Sequence, residues 1–313
     1  MGTPEFAVET LKALVENNYN VVAVVTQPDK PVGRHQTEMQ PSQVKQYAVA
    51  HGLPVLQPKK MKDPVFIEQL RSYNANLQVV VAFRMLPEVV WAMPEYGTFN
   101  VHAALLPQYR GAAPINWAVI NGETQTGVTT FFLDHDIDTG RIILKKTFDI
   151  PDEADVEYVY DGLMHLGAEI CLETLEAIVA ANGHPDSIPQ DSVLDGSAIK
   201  PAPKIFKETC EIDWQKTAKQ VYDFVRGLSP YPGAWTTLVA PDGKETVLKI
   251  YKTRKTGKPG KGIGTITIEG KALCVSAADE QLEIVELQLA GKKRMMARDF
   301  LNGMKQIEDY RVK

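Results

Sequence analysis

Asn100 and His102 stand two residues apart at the end of a short apolar run, GTFNVH (97–102). Leu105-Leu106-Pro107 and then Arg110-Gly111 follow at once. In an extended strand residues i and i+2 point to the same side, so this amide and imidazole share one face where the strand runs out. A second polar cluster, LDHDIDTG (133–140), follows the next apolar run, GVTTFFL (127–133). If the two runs are neighbouring strands, Asp138 comes off the same edge, and ligand sites in open parallel sheets lie beyond the carboxyl ends of the strands.

The chemistry open to such a trio is narrow. Ala103 and Ala104 follow His102, with no Ser or Cys beside it to act as a nucleophile, so a covalent acyl-enzyme is not expected. Asn100 can donate a hydrogen bond to a developing oxyanion. His102 can move a proton near neutral pH, where an imidazole ordinarily titrates. Asp138 can orient that imidazole or relay its proton through water. Together they suit direct acyl transfer to an amine through a tetrahedral intermediate, although an Asn-x-His at a strand end also serves as a satisfied structural pair. Asp134, His135, Asp136 and Asp138 invite a metal reading, but closely spaced Asp before Thr-Gly are also ordinary turn formers. No second His or Cys cluster completes a site, so no metal is expected.

The elements that must hold these residues read as two parts. Over 313 residues the prior is about two domains. The runs VVAVVTQ (21–27), QVVVAF (78–83), GTFNVH and GVTTFFL alternate with helical stretches at Pro4–Asn17, Pro64–Tyr73 and Pro114–Ile120. That pattern indicates a mostly parallel α/β sheet covered on both faces. Residues 156–181 have apolar positions at three- and four-residue spacing and read as one long amphipathic helix. The Gly-, Pro-, Ser- and Asp-rich stretch after it reads as an exposed linker. Beyond the linker, Thr217–Leu228 reads as helix. AWTTLV, TVLKIYKT, GTITIEG, ALCVSA and LEIVELQLA then alternate like the strands of a small antiparallel barrel.

Charge divides at nearly the same place. Residues 200–313 hold 21 Lys and Arg against 14 Asp and Glu, whereas the first 199 residues hold 13 against 25. A basic half fits a nucleic-acid footprint, though lysine-rich surface loops also keep a domain soluble. No stretch approaches the roughly 18 apolar residues of a membrane span. The N-terminus enters an amphipathic helix pattern with no basic-then-apolar leader, and Cys171, Cys210 and Cys274 are too far apart to read as staples or zinc ligands. A cytoplasmic, membrane-free monomer is the expectation.

MGTPEFA (1–7), TQPDKPVGR (26–34), NVHAALLPQYRGAAPI (100–115) and DIDTG (136–140) closely resemble the methionyl-tRNA formyltransferases, a branch of the folate-dependent formyltransferases. APKIFKETCEIDW (202–214), RGLSPYPGAWT (226–236) and AGKKRM (290–295) match the C-terminal part of that family, in order and spacing, so the resemblance spans nearly the whole chain. It implies a Rossmann-like, mostly parallel catalytic domain over 1–183, a linker over 184–201 and an OB-like β-barrel that binds tRNA over 202–313. It implies transfer of the formyl group of 10-formyltetrahydrofolate to the α-amino group of methionyl initiator tRNA, with Asn100, His102 and Asp138 as the catalytic trio. An α-amino group titrates near 8, lower beside an ester, so little base strength is needed and oxyanion stabilisation is the larger effect.

By the same resemblance the folate lies against the Phe83-Arg84-Met85-Leu86-Pro87 segment, Pro107 and the loop of Asp134, His135 and Asp136. A flat pterin asks for apolar walls and a few backbone hydrogen bonds, and core packing is the competing role for Met85 and Leu86. The long loop at 26–45 nominates Lys30 and Arg34 for the acceptor end of the tRNA. Arg110 either faces a phosphate or caps a loop. Lys292, Lys293 and Arg294 form the densest basic cluster of the C-terminal part, while Trp235 and Tyr231 are expected in the barrel core ahead of stacking.

Three departures from the family pattern stand out. A full first strand usually precedes the Met-Gly-Thr stretch, so upstream residues are expected to supply one; without it, edges and unpaired backbone groups would be exposed. His35-Gln36-Thr37-Glu38 stand where further lysines are usual, and Ala104 stands where serine is usual. Rival readings are a formyltransferase for an amino sugar or glycinamide nucleotide, a hydrolase of 10-formyltetrahydrofolate, and a non-catalytic tRNA binder. The first would not bring the basic C-terminal part, and the last would not retain the trio. A dinucleotide dehydrogenase is disfavoured because Gly-Thr-Pro replaces a G-x-G-x-x-G loop.

Overall fold

A computed structural model describes residues 1–32, 38–194, 196–304 and 306–313. The front half contains α1 (Glu5–Glu16), β1 (Val24–Val25), β2 (Lys30–Val32), β3 (Glu38–Gln40), α2 (Gln43–Ala50), β4 (Val55–Leu56), α3 (Pro64–Ser72) and β5 (Gln78–Val81). It continues through α4 (Glu88–Trp91), β6 (Thr98–His102), α5 (Pro114–Ile120), β7 (Gln125–Phe132), β8 (Ile142–Asp149) and α6 (Val156–Ala180). The back half has α7 (Ala218–Gly227), β9 (Ala234–Val239), β10 (Glu245–Pro259), β11 (Ile266–Glu269), β12 (Ala272–Ser276), β13 (Glu280–Leu289), β14 (Met295–Met296), α8 (Ala297–Gly303) and β15 (Arg311–Val312). The chain forms two compact units. The first comprises Met1–Gly111, Gln125–Asp149 and Tyr160–Pro201; the second comprises Ala112–Thr124, Ile150–Val159 and Ala202–Lys313.

In the first unit β5, β6, β7 and β8 form a four-stranded sheet in that order, and β1 pairs in parallel with β4. β5 and β6 are parallel, as the alternation of strands and helices implies, but β7 and β8 run antiparallel to their neighbours. β8 is the longest of the strands that sequence periodicity does not announce, with β2, β3, β4, β14 and β15. Met1 and Gly2 stand between the two pieces of sheet. The Met1 amino group donates to the Val79 carbonyl at 2.6 Å, Val81 N donates to the Met1 carbonyl at 2.9 Å, and Gly2 N donates to the Val25 carbonyl at 3.0 Å. Beside them lies a cavity of about 510 Å³, walled by residues 20–25 and 77–79 among others.

The sheet is sealed from within. Phe131 on β7 and Leu106 beyond β6 are fully buried and pack with Ile142. Val25, Phe66, Leu70, Val80, Leu86 and Val90 form a second cluster. Thr130 and Thr174 share a buried hydrogen bond of 2.8 Å that ties β7 to α6.

The second unit is built on one curled antiparallel sheet, ordered β11-β12-β13-β10-β9-β15 with β14 on β13. Its two edges meet: Thr265 pairs with Arg311, and Val312 N donates to the Gly264 carbonyl at 3.0 Å. Gly264 is in the left-handed region (φ +73°), and a Cβ there would lie 2.3 Å from the Val312 carbonyl oxygen. Only glycine lets the edges approach this closely. α7 starts in a capping box in which Thr217 and Gln220 satisfy each other's backbone N–H groups. It lays Val221, Val225 and Leu228 on a core shared with Trp214, Ile250, Leu282 and Leu287.

Among the described residues no helix is long and apolar enough to cross a membrane. Cys171, Cys210 and Cys274 are free and buried.

Because Phe131 is fully buried between sheet and loop, Phe131→Ala is expected to lower the unfolding free energy by roughly 3–5 kcal/mol, with Phe131→Leu keeping most of it. Urea denaturation of the two variants checks this, and an alanine variant as stable as the parent would contradict it.

Candidate active site

β6 is held on both sides, Asn100 opposite Val80 of β5 and Phe131 of β7, and His102 opposite Thr129. The strand therefore fixes the backbone of both residues before any side chain is considered. His102 is 6% exposed and meets the edge of the Phe131 ring. Its Nε2 lies 2.9 Å from the Tyr109 carbonyl oxygen. A carbonyl can only accept, so Nε2 carries the hydrogen. Nδ1 is then the proton-accepting nitrogen of the neutral ring, and it faces Asp138 Oδ2 at 3.8 Å. Asn100 is half-buried, and its Oδ1 is buried without a hydrogen-bond partner. A buried amide oxygen left unpaired is costly and marks a place where a ligand group would be received.

Asp138 reaches the trio through an unusual backbone. It sits in the left-handed region at φ +55°, and its Oδ2 accepts from Gly111 N at 2.9 Å. Two residues on, a Cβ at Gly140 would stand 1.6 Å from the Phe132 carbonyl oxygen, so this loop closes only over glycine. Asp134 is used as a turn former: its Oδ1 accepts from Thr139 Oγ1 at 2.7 Å and from Asp136 N at 3.2 Å. His135 is exposed, edge-on to Trp91 and 3.9 Å from Glu88. Asp136 is exposed too. Among the described residues no group of three or more His, Cys, Asp and Glu side chains is placed to hold a metal ion.

The segment between His102 and Asp138 is pinned by groups that sequence reading does not single out. Thr129 Oγ1 donates to the Ala104 carbonyl at 2.7 Å and accepts from Leu106 N at 3.1 Å. Ala104 is fully buried, and Pro107 is buried as well. Arg110 donates from Nε and Nη2 to Gln190 Oε1 at 3.0 and 2.7 Å, so of its two expected roles the structure shows loop-pinning. The stretch read as an exposed linker carries that buried Gln190, and it runs along the first unit through Ile188, which pairs with Ile142.

The remaining candidates are distributed unevenly. Leu86 is packed in the core, Phe83 lies half-buried against the same cluster, and Met85 is exposed. Arg84 donates to the carbonyls of Pro58 and Lys59; burial holds its guanidinium below the ordinary range and leaves Nε unpaired. Lys30 is exposed, and Arg34 lies outside the described residues. Lys292 and Lys293 are exposed on the turn between β13 and β14. Arg294 instead makes a two-pronged pair with Glu286 at 2.6 and 2.7 Å over the Tyr251 ring, and that carboxylate raises its pKa. Trp235 packs on the barrel core and donates from Nε1 to the Lys207 carbonyl, as a core role requires. Tyr231 does not: it is 82% exposed, between Pro230 and Pro232.

Residues 1–175 match the formyl transferase family, and residues 204–305 match the formyl transferase C-terminal domain. The methionyl-tRNA formyltransferase of Parabacteroides distasonis is 59% identical over 100% of this chain and 97% of its own length. That of Bacteroides fragilis is 55% identical over 100% and 96%. Among solved structures, an N-formyltransferase from Helicobacter canadensis in complex with folinic acid and dTDP-3-aminofucose covers 90% of this chain and 96% of its own. It has a TM-score of 0.60 at 19% identity, and so shares the fold. Joined to a buried imidazole facing a carboxylate and an amide oxygen without a partner on the same strand, these matches place the chain in the methionyl-tRNA formyltransferase family of formyl transferases.

Proposed function

We propose that the chain transfers the formyl group of 10-formyltetrahydrofolate to the α-amino group of methionyl initiator tRNA, by direct attack through a tetrahedral intermediate. The observation that carries this reading is the buried His102 facing Asp138, on the strand that carries Asn100 with its unpaired Oδ1, in a chain that matches a methionyl-tRNA formyltransferase along its whole length.

The amine nitrogen attacks the formyl carbon, the carbonyl electrons move to oxygen, and the nitrogen–carbon bond of the folate breaks as the intermediate collapses. Asn100 Nδ2 donates to the formyl oxygen as charge develops. Its unpaired Oδ1 is free to accept an N–H of the incoming amine. With Nε2 committed to the Tyr109 carbonyl, His102 Nδ1 takes the proton lost by the amine and returns it, directly or through water, to the leaving nitrogen. Asp138 faces that nitrogen with a carboxylate and stabilises the imidazolium while it exists. The half-buried Phe83, the exposed Met85 and the loop of Asp134–Asp138 supply surface for the folate. Leu86 supports that surface from the core.

The basic C-terminal part holds the tRNA through phosphate contacts. Lys292, Lys293 and Lys30 are the exposed cations best suited to it, whereas Arg294 and Arg110 are occupied by Glu286 and Gln190.

Two outcomes are expected. In a formyl-transfer assay with charged initiator tRNA, Asn100→Ala should lose about 10²–10³-fold in kcat and His102→Ala about 10²–10⁴-fold, with little change in KM for either substrate. Formyl transfer at the parental rate by either variant would overturn these roles, and consumption of 10-formyltetrahydrofolate by the parent only as free formate would overturn the reading as a transferase. For tRNA binding, Lys292→Ala combined with Lys293→Ala should flatten the slope of log K against log salt by about 1–2 and leave kcat unchanged. An unchanged slope would remove these lysines from the tRNA surface.

A further inference from the structure

We propose that Gln190 is a positioning residue for catalysis: its amide holds the Asp138 loop and the Arg110 loop in the one arrangement that points carboxylate and imidazole at each other. The inference rests on the assignment of His102 and Asp138 to proton handling above.

Gln190 is 3% exposed. Its Nε2 donates to the carbonyl oxygens of Asp138 (2.8 Å) and Gly140 (2.9 Å), and its Oε1 accepts from Arg110 Nε (3.0 Å) and Nη2 (2.7 Å). A primary amide has two N–H donors and two oxygen lone pairs, and all four are used. Three consecutive residues then hold the site by three different atoms. The Tyr109 carbonyl fixes the imidazole, the Arg110 guanidinium grips Gln190, and Gly111 N binds the Asp138 carboxylate. Gln190 closes the ring by gripping the Asp138 backbone.

Asp138 needs this grip because it occupies the left-handed region at φ +55°, which a residue with a Cβ holds only when its surroundings impose it. Released, the loop relaxes toward ordinary backbone angles and carries Oδ2 away from Gly111 N and His102 Nδ1. Gln190 itself is set by Ile188, whose N–H and carbonyl each bond Ile142 at 2.9 Å.

The residue type is demanding. Glutamate can still receive Arg110 but has no N–H for the two carbonyls and turns a charge toward them. Methionine keeps the length and loses both donors and acceptor.

Gln190→Met and Gln190→Glu are compared with the parent, His102→Ala and Asp138→Asn for melting temperature, kcat, KM for both substrates and the pH dependence of kcat. The expected result is a 10–100-fold loss in kcat in both Gln190 variants, near-parental KM for both substrates and a displaced limb of the pH profile. Arg110→Met made on top of Gln190→Met should add little, since the two act as one unit. A kcat and pH profile matching the parent in either folded variant would overturn the proposal. So would a kcat loss with an unmoved pH limb, which is what a general loss of stability produces. If Gln190→Met melts below the assay temperature, Gln190→Glu, which keeps the Arg110 contact, decides between these outcomes when assayed below its own melting temperature. Parental activity in His102→Ala and Asp138→Asn would instead overturn the assignment of the trio, a failure distinguishable from that of Gln190 alone.

Discussion

A single buried hydrogen bond, from His102 Nε2 to the Tyr109 carbonyl, decides what the site can do. It fixes the tautomer of the neutral ring, leaves Nδ1 as the nitrogen with a free lone pair, and turns that atom toward Asp138. A carbonyl is a suitable partner because it cannot donate. The ring keeps its N–H on Nε2 whether or not Nδ1 is charged, so orientation and proton transfer are separated. The cost falls on the loop, which must bring the Tyr109 carbonyl back over the strand end from which it departs. Tyr109 meets that demand in the left-handed region, at φ +61°.

The sheet makes such a loop possible. β6 lies between a parallel neighbour and an antiparallel one, so every residue from Thr98 to His102 is tied by its backbone on one side or the other. β7 adds what a parallel strand at that place would not: running the opposite way, it places Thr129 beside His102. From there the Thr129 hydroxyl holds the Ala104 carbonyl and Leu106 N. β7 then ends at Phe132, from which the chain enters the Asp134–Asp138 loop. The two arms thus leave adjoining antiparallel strands at opposite ends, the second having to turn back to bring Asp138 to His102, and Phe131 and Leu106 are fully buried in one cluster with Ile142.

The pairing of Asn100 with His102 was legible in the sequence because i and i+2 share one face of a strand. Asp138 was expected off the same edge, but β7 runs antiparallel and ends opposite Phe99, so the 133–140 loop has to carry it back to His102. The helices at 5–16, 64–72, 114–120 and 156–180 were legible for a similar reason, the three-to-four-residue repeat. β8 was not. Ile142–Asp149 includes Lys145 and Lys146, and burial alternates along its second half. Lys146 is held by Glu169 and Glu173 of α6, a tertiary compensation that no local pattern reveals. Gln190 was invisible for a deeper reason. One glutamine in a Pro-, Ser- and Asp-rich stretch has no period, and its importance lies in four contacts with residues 50, 52 and 80 positions away. Charge alone did not show these partners either: Arg110 is engaged by the Gln190 amide and Arg294 by the Glu286 carboxylate.

Such internal pairing explains how a site that handles negative charge can lie in the acidic half of the chain. The clustered carboxylates of the 133–140 loop do not act together. Asp134 is consumed in building the turn, Asp136 faces outward, and only Asp138 is turned inward. In the proposed mechanism oxyanion stabilisation falls to a neutral amide, which needs no counter-ion, and proton transfer falls to an imidazole. On the proposed mechanism the front half can therefore be acidic overall without opposing the reaction, and most of the excess of lysine and arginine lies in residues 200–313. The division of charge along the chain follows from the division of chemical labour.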